Sequence, residues 1–184
     1  LFLGGFQPFT GVYEDGTGHI GMVKKSIEKY GLPVVIAVGS AQDSHMDNDP
    51  LTAGARVEII RYALLANGVS ADKFHIIPVN NINSNSAFEV KVASFCPSFN
   101  GIIAGNDWTK QLFGRGLYDI IPAVRTDVGG APISATRVRD ITKQELRICS
   151  EKDKALEPGA IKGIEKKLEK LVDPATLKIM KEIG

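Results

Sequence analysis

The sequence predicts an α/β fold in which helices cover both faces of an open parallel sheet. Short apolar runs rich in Val and Ile alternate along the chain with amphipathic stretches. Runs without polar alternation are typical of strands that are covered on both faces. Alternating strands and helices indicate parallel pairing, because parallel strands need helical crossovers. The predicted strands are residues 1–3, 34–38, 75–79, 101–104 and 120–124.

The predicted helices follow from the spacing of apolar residues, which places them on one helix face. Gly31 and Gly68 follow the first two of these helices, where C-caps are expected. The apolar stripes are Ile20, Val23, Ile27 and Tyr30, then Val57, Ile60 and Leu64, and finally Ile161, Ile164, Leu168 and Leu171.

The C-terminal part of the chain has a different composition. Lys and Glu are dense from Glu151 onward. Pro174 is expected to end the helix that carries the last stripe, and a short helix is expected after it. We therefore predict a sheet domain at residues 1–140 and a helical appendage of the same domain at residues 141–184.

Bulk composition excludes several classes of protein. Hydrophobic residues make up 43% and charged residues 23%, which is typical of globular proteins. A formal net charge of +1 argues against a surface dedicated to nucleic acid. The apolar runs are too short to span a membrane. Cys96 and Cys149 lack a CxxC spacing, which favours a reducing cytoplasmic location over a disulfide framework.

The first candidate site is the glycine-rich segment between the first strand and the first helix. Backbone N–H groups at a helix start attract anions, so this segment is a predicted phosphate-binding element. His19 stands at the helix start, where its ring either plays a structural role or donates to phosphate oxygens in a transition state. Gly16, Gly18 and Gly21 spell GxGxxG, but the dinucleotide pattern directly follows its strand, and about a dozen residues intervene here.

The second candidate site is the segment ISATRVR at residues 133–139. The hydroxyls of Ser134 and Thr136 can cap a helix start and bind phosphate oxygens. Arg137 and Arg139 can add forked, charge-assisted contacts. Basic residues at a helix N-terminus oppose the helix dipole, so a bound anion accounts for them better than an ordinary capped helix does.

Together these motifs resemble the HxGH and SxTxxR signatures of the nucleotidyltransferase superfamily, and most closely its archaeal-type nicotinamide-mononucleotide adenylyltransferases. The resemblance covers residues 1–140. Its segments are GFQPF at 5–9, TGH at 17–19, GSAQDSH at 39–45, DPLTAG at 49–54 with Arg56, IIPV at 76–79, AGN at 104–106 and ISATRVR at 133–139.

The resemblance implies a Rossmann-like open parallel sheet with ATP and acceptor at the carboxyl ends of the strands. It implies attack of the phosphate of nicotinamide mononucleotide on the α-phosphorus of ATP, giving NAD and pyrophosphate. It also implies Mg²⁺ or a similar divalent cation, bound mainly through the ATP phosphates rather than by protein ligands, and a homo-oligomeric protein.

Site residues are carried over from the matching motifs. The implied catalytic residues are His19, Thr10 and Arg139. The implied ATP-binding residues are Phe6, Gln7, Pro8, Gly18, His19, Gly105, Asn106, Ile133, Ser134, Thr136, Arg137 and Arg139. The implied acceptor-binding residues are Ser40, Asn81 and Phe88. Phe88 is either a core aromatic residue or a ring that stacks on the pyridinium.

Two departures from the family pattern remove positive charge near the phosphates. Gly5 stands where the family has arginine, and Asn48 stands where some members have one. Arg137 is a candidate to compensate, since the family commonly has an acidic or neutral residue there. The loss of charge keeps two further hypotheses open: a transferase that uses another phosphorylated acceptor or CTP, and a relative that binds nucleotide without catalysis.

Two further departures concern local structure. A stretch such as residues 12–16 is interpreted as an insertion that separates the two histidine positions of HxGH, which leaves Thr10 in the first. Ala55 replaces a glutamate, so one half of a capping box is missing, while Thr52 is still expected to cap its helix.

Overall fold

The computed structural model describes residues 1–10, 18–82, 84–114, 116–123, 134–151, 158–169 and 171–183. Its strands are β1 (Phe2–Gly4), β2 (Val34–Val38), β3 (Phe74–Pro78), β4 (Gly101–Ala104) and β5 (Asp119–Pro122). Its α-helices are α1 (Gly18–Tyr30), α2 (Ala53–Ala66), α3 (Asn85–Phe95), α4 (Asp107–Leu112), α5 (Ala135–Glu151), α6 (Pro158–Leu168) and α7 (Pro174–Ile183), and a 3₁₀ turn spans Ala71–Lys73.

The five strands form one parallel sheet in the order β3-β2-β1-β4-β5, which confirms the predicted α/β class. The order reverses between β1 and β4, so the segments that follow these two neighbouring strands diverge and leave a crevice at the carboxyl edge. Ligands of open α/β sheets bind at such a point.

Two apolar clusters cover the two faces of the sheet. The first packs α1 and α2 against alternate strand residues such as Phe2 and Ile36. The second packs α3 and α4 against their neighbours, such as Leu3 and Ala37. The prediction that every strand is covered on both faces is wrong for β3 and β5. These are the edge strands of the sheet, and both are partly exposed.

The predicted helix ends are mostly confirmed. Gly31 and Gly68 have φ angles of 68° and 78° after α1 and α2, as left-handed caps require. Thr52 caps α2, since its Oγ1 accepts from the Ala55 N–H at 3.1 Å. One prediction is wrong: α6 ends at Leu168, so Leu171 packs from the following turn, and Pro174 begins α7 rather than ending a helix.

The C-terminal helices pack on the sheet domain. Helix α7 contacts α2, and Asn67 Nδ2 at the end of α2 donates to Asp173 Oδ2 just before α7 at 2.9 Å. Met180 of α7 joins the first apolar cluster. Among the described helices, none combines the length and apolarity that a bilayer crossing requires.

Candidate active site

A cavity of about 270 Å³ opens between the carboxyl ends of β1 and β4, and we call it the switch-point cavity. Residues after β1 and β4 line it together with the first turns of α1 and α5. It brings together eight of the residues predicted from sequence: Phe6, Thr10, Gly18, His19, Gly105, Asn106, Ser134 and Thr136.

Two helix N-termini border the switch-point cavity. Gly18 begins α1, and Ser134 precedes α5 as its N-cap, with Oγ accepting from the Arg137 N–H at 3.2 Å. The backbone N–H groups and dipoles of both helices therefore present positive potential to the same space. This arrangement suits phosphate groups.

The chain turns sharply after β1 because Phe6 folds back over Gly4. Phe6 is a buried residue with φ of 49°, and a Cβ on Gly4 would lie 2.9 Å from its ring. Gly4 is therefore required by this close approach. Gly5 is exposed, and a Cβ there would meet only the Gln7 side chain, at 3.9 Å. Position 5 thus has space for the arginine of the family pattern.

Thr10 holds the His19 ring by two contacts. The Thr10 backbone N–H donates to His19 Nδ1 at 2.8 Å, and Thr10 Oγ1 lies 3.0 Å from the same nitrogen. The His19 N–H in turn donates to Thr10 Oγ1 at 3.3 Å. A neutral ring whose Nδ1 accepts a hydrogen bond carries its proton on Nε2. His19 is thereby set as an Nε2–H donor.

Three phenylalanine rings surround His19. Phe9 stacks on it with centroids 5.1 Å apart, and Phe2 and Phe6 make edge contacts at 5.7 and 5.2 Å. Phe9 is fully buried. The imidazole is therefore held in one orientation by packing as well as by Thr10, which is the preorganisation that electrostatic catalysis needs.

Gln7 and Arg139 serve as links between segments. The buried Gln7 amide pairs with the Leu51 backbone, donating to its carbonyl at 3.2 Å and accepting from its N–H at 3.0 Å. Arg139 Nη1 donates to the Gln7 carbonyl at 2.9 Å. Both residues, with Pro8, line a second cavity of about 460 Å³ rather than the switch-point cavity.

Arg56 is fully buried and joins the ends of β1 and β2 to the start of α2. It donates to the carbonyls of Gly39 at 2.7 Å, Ser40 at 2.9 Å and Gly5 at 3.0 Å. Burial lowers the pKa of Arg56 from its usual value, and Asp49 and Asp43 act against that shift. The guanidinium fixes the shape of both loops at the carboxyl edge.

The predicted acceptor residues lie beyond β2 and β3 and on α3. Ser40 and Asn81 contact each other, since Asn81 Nδ2 donates to Ser40 Oγ at 2.7 Å. Phe88 is 3% exposed in the second apolar cluster. Its ring lies 5.9 Å from Trp108, which is 48% exposed at the start of α4.

The described lining of the switch-point cavity carries no Asp, Glu, Lys or Arg side chain. In the described parts of the chain, no group of three His, Cys, Asp or Glu side chains could hold a metal ion. The protein atoms described around this cavity therefore do not form a metal-ligand set of their own.

The structure extends the set of site residues derived from sequence. Ile133 and the interpreted insertion at residues 12–16 lie outside the described residues. The sequence motifs assign no packing role to Phe9, no contact to the ring of Trp108 and no role to Arg56. The sequence signal for Trp108 was its place two residues after Asn106, whereas burial of Arg56 has no sequence signal.

The chain belongs to the cytidylyltransferase-like family, whose model matches residues 1–141. It is similar to curated nicotinamide-nucleotide adenylyltransferases of archaea. The relative from Ignicoccus hospitalis is 41% identical over 121 residues, which are 66% of this chain and 67% of that protein. The relative from Pyrobaculum aerophilum is 34% identical over 143 residues, 77% of this chain and 74% of that protein.

Solved structures show the same fold. A crystal structure of a bifunctional NMN adenylyltransferase/ADP ribose pyrophosphatase from Francisella tularensis, complexed with AMP and Mn ion, matches with a TM-score of 0.59. Identity is 17%, and the match covers 99% of this chain and 51% of that one. A second structure of that protein gives a TM-score of 0.60. This chain spans about half the length of these solved structures.

Proposed function

We propose that the protein transfers the adenylyl group of ATP to nicotinamide mononucleotide, giving NAD and pyrophosphate. The observation that carries the proposal is the switch-point cavity, in which an oriented His19 and two helix N-termini meet. Similarity to curated nicotinamide-nucleotide adenylyltransferases over 66% and 77% of the chain supports the choice of substrates.

The reaction we propose is a direct displacement at the α-phosphorus. An oxygen of the mononucleotide phosphate forms the new P–O bond, the bond to the bridging β-phosphate oxygen breaks, and pyrophosphate leaves. Positioning and charge stabilisation supply the catalysis, so no covalent enzyme intermediate is needed. His19 Nε2–H donates to the oxygens that gain charge, and Thr10 holds the ring that does so.

The nucleotide phosphates lie, in this proposal, against the N-termini of α1 and α5. Ser134, Thr136, Gly105 and Asn106 line the space they would fill. Arg137 and Arg139 on α5 add positive charge to that helix start. A divalent cation, when bound, neutralises phosphate charge. As the family resemblance implies, oxygens of the nucleotide phosphates would be the main ligands of that ion.

The acceptor lies on the β2–β3 side of the carboxyl edge. Ser40 and Asn81 offer polar contacts there, and Phe88 and Trp108 supply aromatic surface. A positively charged pyridinium is attracted to the face of an aromatic ring. Because Trp108 is much more exposed than Phe88, we assign it the larger share of that contact.

The test is pyrophosphate release from ATP and Mg²⁺ with nicotinamide mononucleotide, with the product identified by mass. NAD formed at enzyme-like rates is the expected result. Parallel reactions replace ATP by CTP, or the acceptor by other phosphorylated small molecules. Turnover only with CTP or only with another acceptor would refute the substrates proposed here. Nucleotide binding without turnover in any of the reactions would refute catalysis.

We also propose that the protein self-associates and acts in the cytoplasm, and we retain the division at residues 140 and 141 as a proposal. Helix α5 runs across that boundary, so the two parts would be continuous in structure. Light scattering after size-exclusion chromatography measures the oligomeric state, and a monomeric mass would refute self-association.

A further inference from the structure

Three neutral polar side chains meet where β2 and β3 end, and we call them the amide cluster: Ser40, Gln42 and Asn81. The Ser40 N–H donates to Asn81 Oδ1 at 3.3 Å, and Asn81 Nδ2 donates to Ser40 Oγ at 2.7 Å. The Asn81 N–H donates to Gln42 Oε1 at 3.0 Å. These contacts fix which end of each amide is oxygen and which is nitrogen.

The hydrogen bonds of the amide cluster leave donors that have no acceptor among the described residues. Gln42 uses its oxygen on Asn81, and its Nε2 has no acceptor among the described residues. The Ser40 hydroxyl accepts from Asn81, so its own proton points elsewhere. Gln42 and Asn81 are both exposed. The cluster therefore offers N–H and O–H groups to an oxygen of a ligand, without carrying charge of its own.

Ser40 is held in a conformation that non-glycine residues seldom adopt. Its φ is 51°, in the left-handed region. Arg56 Nη2 donates to the Ser40 carbonyl at 2.9 Å, and Asn81 holds both its N–H and its hydroxyl. Strained residues that their surroundings hold in place concentrate at ligand-binding sites. The strained backbone of Ser40 lies at the carboxyl edge of the sheet, where the acceptor is proposed to bind.

We propose that Gln42 is a specificity-determining residue that donates through Nε2 to an oxygen of the mononucleotide acceptor, beside the Ser40 hydroxyl. This inference rests on the proposed function and assigns a residue to its acceptor side. The phosphate and the carboxamide of the acceptor both carry suitable oxygens. The structural alternative is that Gln42 only supports the Asn81 backbone through Oε1.

Two substitutions separate these roles. Gln42→Glu keeps an oxygen for the Asn81 N–H but replaces the two Nε2 hydrogens by an acceptor. Gln42→Ala removes both functions. Gln144→Glu makes the same chemical change at an exposed position on α5 and serves as the control.

The measurement is the Kd of nicotinamide mononucleotide by isothermal titration calorimetry, with the KM of ATP measured in parallel. Loss of one hydrogen bond is worth about a tenfold change in affinity. We expect Gln42→Glu and the uncharged Gln42→Ala each to raise the Kd at least about tenfold, with the KM of ATP and the Gln144→Glu control unchanged. A rise in Gln42→Glu alone would reflect repulsion by the new carboxylate and would overturn the proposal. Wild-type affinity in Gln42→Glu would overturn the proposal and leave Gln42 a support for Asn81.

The same titration with nicotinamide riboside, which lacks the phosphate, identifies the oxygen. An equal loss of affinity for both ligands assigns Gln42 to the carboxamide or ribose, and a loss confined to the mononucleotide assigns it to the phosphate. Because the titration measures acceptor binding without turnover, the role of Gln42 and the proposed adenylyl transfer can be refuted separately. Acceptor binding that depends on Gln42, without NAD formation, would refute only adenylyl transfer.

Discussion

Replacement of His19 is the most direct test of the catalytic geometry. Thr10 engages Nδ1, and in the proposed reaction the ring acts on the substrate through the single Nε2–H. Removal of one preorganised donor to developing charge costs about 3 kcal/mol in the transition state, or roughly 100-fold in rate. His19→Ala should therefore lower kcat by about 100-fold, with a smaller effect on the KM of ATP.

The contacts of the ring predict a modest structural cost as well. His19 makes ring contacts with Phe2, Phe6 and Phe9, each worth about 0.5 kcal/mol at a partly exposed position. His19→Ala should lose about 1 to 2 kcal/mol of unfolding free energy, measured by urea denaturation. The variant would remain folded, so the loss of kcat would not be a consequence of unfolding.

Two amide substitutions distinguish the ring nitrogens of His19. In His19→Asn, the new amide lies near the position of Nδ1, where it can contact Thr10 but not the substrate. Gln can place an N–H near the position of Nε2. We expect His19→Gln to recover part of kcat and His19→Asn to recover little, in steady-state assays of NAD formation. Unchanged kcat in His19→Ala, or better recovery by Asn than by Gln, would refute the assigned role.

Three further substitutions test other parts of the site. Arg139→Ala should raise the KM of ATP and slow turnover, because it removes a cation and the bond to the Gln7 carbonyl; unaltered ATP kinetics would make Arg139 structural only. Gly5→Arg should lower the KM of ATP about 3- to 10-fold, because the position has room and the new guanidinium adds a charge-assisted contact to the phosphates. A higher KM of ATP would show that the phosphates lie elsewhere. Arg56→Met should lower the free energy of unfolding, measured in urea, by about 3 to 5 kcal/mol because three carbonyl groups lose their donor. Arg56→Lys should restore only part of that free energy. Near-wild-type stability in Arg56→Met would contradict the bridging role.

Local signals in the sequence predicted much of the fold. Apolar runs located all five strands to within about one residue where the structure describes them, because strand burial shows directly in hydrophobicity. Gly31 and Thr52 marked helix ends through backbone and capping preferences that depend on a few neighbouring residues. The error at Leu171 arose because a turn can bury an apolar side chain as a helix does.

Motif recognition likewise located most of the phosphate side of the candidate site. His19, Ser134 and Thr136 lie far apart in the chain but line one cavity. The positions of glycine and hydroxyl residues in the sequence indicated that these three residues lie at helix starts. Strand order was not readable, and it is the arrangement of β1, β4 and β5 side by side that brings the start of α1, after β1, near the start of α5, after β5.

The sequence by itself determined the α/β class, the helix caps and which residue types could bind phosphate, because these depend on composition and short-range spacing. Only the tertiary structure decided three features of the site. The Thr10 backbone N–H donates to His19 Nδ1, and Thr10 Oγ1 accepts from the His19 backbone N–H. Three phenylalanine rings hold the His19 ring, and Arg56 donates to carbonyls of separate loops. Such contacts join different segments of the chain, and their geometry depends on how the sheet and helices pack. The direction in which a donor such as Gln42 Nε2 faces is therefore a property of the fold rather than of the motif.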